Sequence, residues 1–133
     1  MKKHEIAKYI GLKWGLGASG PDAYDCHHLV IELQKKIYNK ELPSVAVNAA
    51  SLRDIVKKIS KDKVWDRFEK IDSPEDGCIV KLFTAVNPDH IGLYIDIDGG
   101  GIIHSLRHTG VVFDTVFILQ KTYSKLEFFR YKG

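Results

Sequence analysis

Residues 90–106, HIGLYIDIDGGGIIHSL, change the period of the chain. Ahead of about Trp65 the apolar residues recur at spacings of three and four, as on one face of a helix. Here they alternate, and "HIGLYIDI" and "GGIIHSL" are divided by "DIDGGG", whose glycines supply the backbone freedom of a tight hairpin. A turn near Ile97 to Gly99 brings positions 90 and 104 close together across the ladder. Both are even-numbered, so a register without a net bulge places His90 and His104 on the same face.

Working outward, "CIVKLF" (78–83), "GVVFDTV" (110–116) and "KLEFFRY" (125–131) read as three further strands, five in all. Upstream, residues 3–10 read as a short helix with Ile6, Tyr9 and Ile10 on one side. "GLKWGLGASGP" (11–21) is a glycine-rich loop. From Cys26 to about Asn39, Leu29, Val30, Leu33 and Ile37 form the stripe of an amphipathic helix. Another helix is expected over 49–60, with Leu52, Ile55, Val56 and Ile59 inward and "SLRD" as a capping-box start. Trp65 and Phe68 read as core at the switch from helix to strand. Helices followed by strands predict an α+β fold, the helices packed on one face of an antiparallel sheet.

At 133 residues, 44% of them hydrophobic, the chain is expected to be one domain (1–133) that needs no disulfide staples. The net charge of +3 is spread over scattered lysines with no organised stripe, so no nucleic-acid partner is expected. No run approaches the roughly 18 apolar residues of a membrane span, and no membrane partner is expected. Lys8, Lys13 and Glu5 interrupt any secretory h-region. Synthesis in the cytoplasm is therefore the expectation, with lysis, a secretion machine or a virion tail as the route to any extracellular or periplasmic site.

Of the two cysteines, Cys78 lies in a strand-like run and reads as a core thiol. Cys26 stands in "AYDCHHLVIEL" (23–33), at the first turn of the predicted helix with Asp25 as N-cap. A thiolate is the nucleophile, and a helix N-terminus or a nearby imidazolium lowers a thiol's pKa. One of His90 and His104 could serve as base and the other as its orienting partner. Cys26, His27, His28, His90 and His104 are also donors that zinc accepts, although there is no C-x-x-C pair and no H-x-x-x-H. The residues alone leave nucleophile, metal ligand and core thiol open. Tyr24 either lines a cleft beside Cys26 or packs.

"YDCHHLV", "DHIGLYI" and "IIHS", in that order, resemble the NlpC/p60 family of bacterial cysteine peptidases. The resemblance takes in "GLKWGLGASGPDAYDC" as the loop before the nucleophile and "EDGCIVKLF" as the family's "GD-x-V-x-F" strand. It covers about residues 11–106, and the closing "LEFFRY" is similar to the ending of phage-tail members. It implies a papain-like α+β core, with Cys26 as nucleophile, His90 as general base and His104 orienting His90. Asp25 would help to hold the free amine of a short peptide, and the Cys26 backbone N–H would be an oxyanion donor. The implied substrates are peptidoglycan stem peptides, cut between D-γ-glutamate and the diamino acid. No cofactor and no metal are expected, and a phage tail or another delivery assembly is the expected partner.

The sequence departs from the family pattern at three places. His27 replaces the Ser or Trp after the cysteine, and His28 replaces the Gly that follows. Trp14 stands where many members have an oxyanion-assisting tyrosine; its indole N–H still donates. Trp14, Tyr24 and His27 join Asp25 as the expected substrate-contacting residues. Two alternatives keep the same atoms: a catalytically inactive assembly or binding module of this fold, and a Cys/His metal-binding domain.

Overall fold

The computed structural model describes residues 2–41, 66–84 and 87–132. The helix expected over 49–60 and Trp65 lie outside them.

Helix α1 (Lys2–Ala7) precedes an irregular stretch that leads to α2 (Cys26–Tyr38). α2 starts where it does because Asp25 has extended backbone (φ −81°, ψ 176°) and accepts from the His28 N–H, satisfying one of the orphan donors of the first turn. It stops at Asn39, which takes the left-handed conformation (φ 53°) that asparagine tolerates. Leu29, Val30 and Leu33 are fully buried against Leu93, Ile95 and Ile103 of the sheet.

The sheet contains β1 (Phe68–Ile71), β2 (Ile79–Thr84), β3 (Asn87–Ile95), β4 (Gly101–Leu106), β5 (Gly110–Asp114) and β6 (Lys125–Tyr131). All pairings are antiparallel, in the order β1-β6-β2-β3-β4-β5. The β3–β4 hairpin pairs Ile95 with Gly101, which centres the turn on Asp98, with Asp98, Gly99 and Gly100 all at positive φ. Inward positions alternate along the strands. Ile79, Ile91, Leu93, Ile95 and Ile103 face α2, while Val80, Leu82, Ile102 and Phe128 fill a second cluster on the other side.

The structure revises two expectations. β1 is a sixth strand, and Phe68 within it packs at a tilt against Tyr131 across the ladder, with ring centroids 5.0 Å apart. "GVVFDTV" is a strand only as far as Asp114. Thr115 then caps a third helix, α3 (Val116–Thr122), through an Ile118 N–H bond to its hydroxyl. Leu119 of α3 is buried in the second cluster. Helical cover therefore reaches both faces of the sheet rather than one.

Candidate active site

α2 is held at its start and again two turns along. The Tyr24 carbonyl accepts from Ser105 Oγ of β4 at 2.7 Å. Farther along the helix, Gln34 Nε2 donates to the Gly77 carbonyl at 2.6 Å. Between them lies Cys26, whose thiolate form is favoured by the backbone N–H of Ile91, the residue after His90 in β3, and by the N–H groups of the helix start. Cys26 is 1% exposed. Burial, and after it the Asp25 carboxylate, pushes its thiol up to about 12, more than the three N–H groups offset. The helix start is where the sequence expected it, but it does not lower the thiol: desolvation of the charged form outweighs the amides. Cys26 is therefore a neutral thiol at neutral pH.

His90 and His104 meet on one face, Nε2 of the first 2.8 Å from Nδ1 of the second. The contact is diagonal, because extending the Leu93–Ile103 register sets Gly92 opposite His104. A Cβ at Gly92 would lie 2.6 Å from Ile102 Cγ2, 3.0 Å from the Ile103 carbonyl and 3.2 Å from His104 Cβ. Glycine keeps that side of the ring clear. His90 also stacks on Tyr123, with centroids 6.4 Å apart. Burial, then the neighbouring His104, holds the His90 imidazole well below its usual range. Burial likewise lowers His104, against the opposing pull of Asp114.

Both folded-state values lie below the unfolded value of about 6.5, so below that pH the unfolded chain binds more protons. Stability is then lost as pH falls from about 6.5 towards the folded values, by up to roughly 1.4 kcal/mol per pH unit per histidine. His28 acts oppositely: its hydrogen bond to Asp25 raises its pKa, and that contribution is lost only as pH rises through the raised value. Urea denaturation at pH 7.0, 6.0 and 5.0 should show wild-type stability falling with acid. A His90→Gln/His104→Gln variant should have a flatter profile whatever its absolute stability; an unchanged slope would contradict the assignment.

The structure adds one residue that the sequence did not single out. Asp114, the last residue of β5, places Oδ2 2.9 Å from His104 Nε2. The register explains its place: Val112 pairs with His104, and Asp114, two residues on, projects from the same face.

Of the expected substrate-contacting residues, Tyr24, Asp25 and His27 stand at the start of α2 and Trp14 in the stretch before it. Asp25 is 2% exposed; its Oδ1 accepts from the His28 N–H at 2.6 Å, and both oxygens lie 2.9 Å from His28 Nδ1. Its carboxylate is thus engaged within the helix start. Tyr24 is buried, with its hydroxyl donating to Glu32 at 3.1 Å, and so packs instead of lining a cleft. The His27 ring is buried edge-on to His28. Trp14 is half-buried with the Arg107 guanidinium 6.0 Å from its ring. Among the described residues no group of three or more His, Cys, Asp or Glu is disposed to hold a metal ion, and no helix is long and apolar enough to cross a membrane.

No known family model matches the sequence, and no curated protein matches it either. Solved structures do. The NlpC/p60 domain of the peptidoglycan hydrolase SagA superposes with a TM-score of 0.57 at 16% identity, covering 88% of each chain. A lipoprotein-like NLP/P60-family protein from Staphylococcus aureus superposes with a TM-score of 0.58 at 16% identity over 95% of this chain, which spans 39% of that protein's length. With its helical elements on a six-stranded antiparallel sheet, the chain has the α+β, papain-like fold of NlpC/p60 domains.

Proposed function

We propose that the chain is a cysteine peptidase of the NlpC/p60 kind that hydrolyses peptidoglycan stem peptides, at the bond between D-γ-glutamate and the diamino acid. The observation that carries this reading is the Cys26 sulfur at the Ile91 amide, one residue from the His90–His104 pair. The fold shared with a peptidoglycan hydrolase domain supports the substrate class. The likeness of "LEFFRY" to tail-associated members supports a phage-tail or prophage setting.

The chemistry starts from a neutral pair. His90 removes the thiol proton as sulfur attacks the amide carbon, and the oxyanion forms against the helix-start N–H groups. Donors of this kind are worth roughly 3 to 4 kcal/mol each. The imidazolium then protonates the departing amine, leaving a thioester on Cys26. Water, deprotonated by His90, attacks the thioester, and the carboxylic acid product leaves as thiolate and proton recombine.

The 1% exposure of Cys26 favours a second reading, an inactive module of the same fold that binds or assembles. Digestion of purified muropeptides followed by mass spectrometry separates the two. The enzyme should release one new free amine and one new carboxyl per cut, at the D-γ-glutamyl bond. Intact muropeptides after prolonged incubation, with binding retained, would favour the module.

A further inference from the structure

We infer that Asp114 sets the tautomers of His104 and His90, and so makes His90 a base towards Cys26. This rests on the enzymatic reading above, but the hydrogen-bond chain that carries it is independent of turnover.

The bond between His90 Nε2 and His104 Nδ1 at 2.8 Å can be made in two ways. Either ring can donate, and two neutral imidazoles alone do not choose. The choice decides function. If His104 donates from Nδ1, His90 must keep its own proton on Nδ1, and its ring has no lone pair with which to take one from sulfur. If His90 donates from Nε2, its Nδ1 is a free acceptor.

Asp114 breaks the tie. Its Oδ2 lies 2.9 Å from His104 Nε2, and a carboxylate only accepts. His104 therefore carries its proton on Nε2. Being buried and neutral, it has a bare Nδ1, which requires the proton of His90 to be on Nε2. His90 is neutral too, held so by burial, and its Nδ1 is left unprotonated. The direction runs from His90 through His104 to Asp114. When His90 becomes an imidazolium during attack, the same chain sets a negative charge behind it.

Asp114 does not touch Cys26 in this scheme; it is a positioning residue. Its place at the end of an outer strand with its side chain 31% exposed makes the near-isosteric Asp114→Asn change compatible with the fold. Asparagine can present its amide N–H₂ to His104 Nε2, which turns the chain round.

The test is the long-range ¹H–¹⁵N histidine spectrum of labelled protein at pH 7, for wild type, Asp114→Asn and Asp114→Glu. Wild type should show both His90 and His104 protonated on Nε2, the Asn variant should move His90 towards the Nδ1–H form, and Glu should restore the wild-type pattern. On muropeptides, Asp114→Asn should lower kcat by roughly 100-fold or more with KM little changed, as expected for a base held in the wrong tautomer. A wild-type His90 already protonated on Nδ1, or an Asn variant with unchanged tautomers, would overturn the inference. Because the wild-type spectrum alone reads the tautomer, failure of the enzymatic reading (no cleavage by any form) is distinguishable from failure of this one.

Discussion

Cys26→Ala should be devoid of muropeptide cleavage, a loss of roughly 10⁶-fold in kcat relative to wild type, since without sulfur no thioester forms. His90→Ala should fall less, by roughly 10² to 10⁴-fold, the range for removal of a general base. The two losses should not add, because nucleophile and base act in one step. The neutral resting pair also fixes the pH profile. With the thiol pushed up to about 12 by burial and His90 held well below its usual range, no thiolate forms by itself near neutrality. The acid limb of kcat/KM should follow the His90 imidazole and lie below pH 6.5, with a plateau through pH 7 to 8. Single-turnover assays over pH 4 to 9 measure both. Residual cleavage by Cys26→Ala, or a rise through pH 8 to 9 as for an ordinary thiol titration, would contradict the mechanism.

The fold class was legible because two periods coexist in one chain. The stripe Leu29, Val30, Leu33 and Ile37 predicted α2 to within a residue at each end, and the glycine run after Ile97 predicted the β3–β4 hairpin and hence which face carries both imidazoles. Where prediction failed, local propensity and tertiary burial disagreed. "GVVFDTV" alternates as a strand to its end, yet Thr115 caps a helix that starts at Val116 and buries Leu119. β1 is four residues long with only its ends half-buried, too short for alternation to register.

The site was legible in its members and not in its electrostatics. Cysteine at a helix start predicts an acidified thiol; only the packing of β3 and β4 around it reveals that desolvation prevails. Asp25 carried two readings, N-cap and amine anchor. The three-residue spacing to His28 decided its partner, because at N3 the His28 N–H and imidazole both reach back to the carboxylate. Asp114 escaped notice for the opposite reason: a carboxylate at a strand end is ordinary until the register places it behind His104.

Leu29→Ala should cost about 3 kcal/mol in stability while leaving the polar site atoms intact, within the 2 to 5 kcal/mol span of buried leucine truncations. Leu29 is fully buried, one turn beyond Cys26, and packs in the cluster that includes Leu93, Ile95 and Ile103. Its removal leaves a void where α2 meets the centre of the sheet, and surroundings this close-packed relax only in part. For a domain of this size, the melting temperature should fall by roughly 10 °C. The functional consequence separates packing from chemistry. The Ser105–Tyr24 bond and the Gln34–Gly77 bond still fasten the helix, and the Asp25 cap still closes its first turn, so well below its melting temperature the variant should keep the wild-type pH profile of cleavage. A shifted acid limb at 15 °C would mean that helix packing, beyond the hydrogen-bonded fastenings, holds Cys26 against β3; a melting temperature within 2 °C of wild type would mean that Leu29 does not anchor α2.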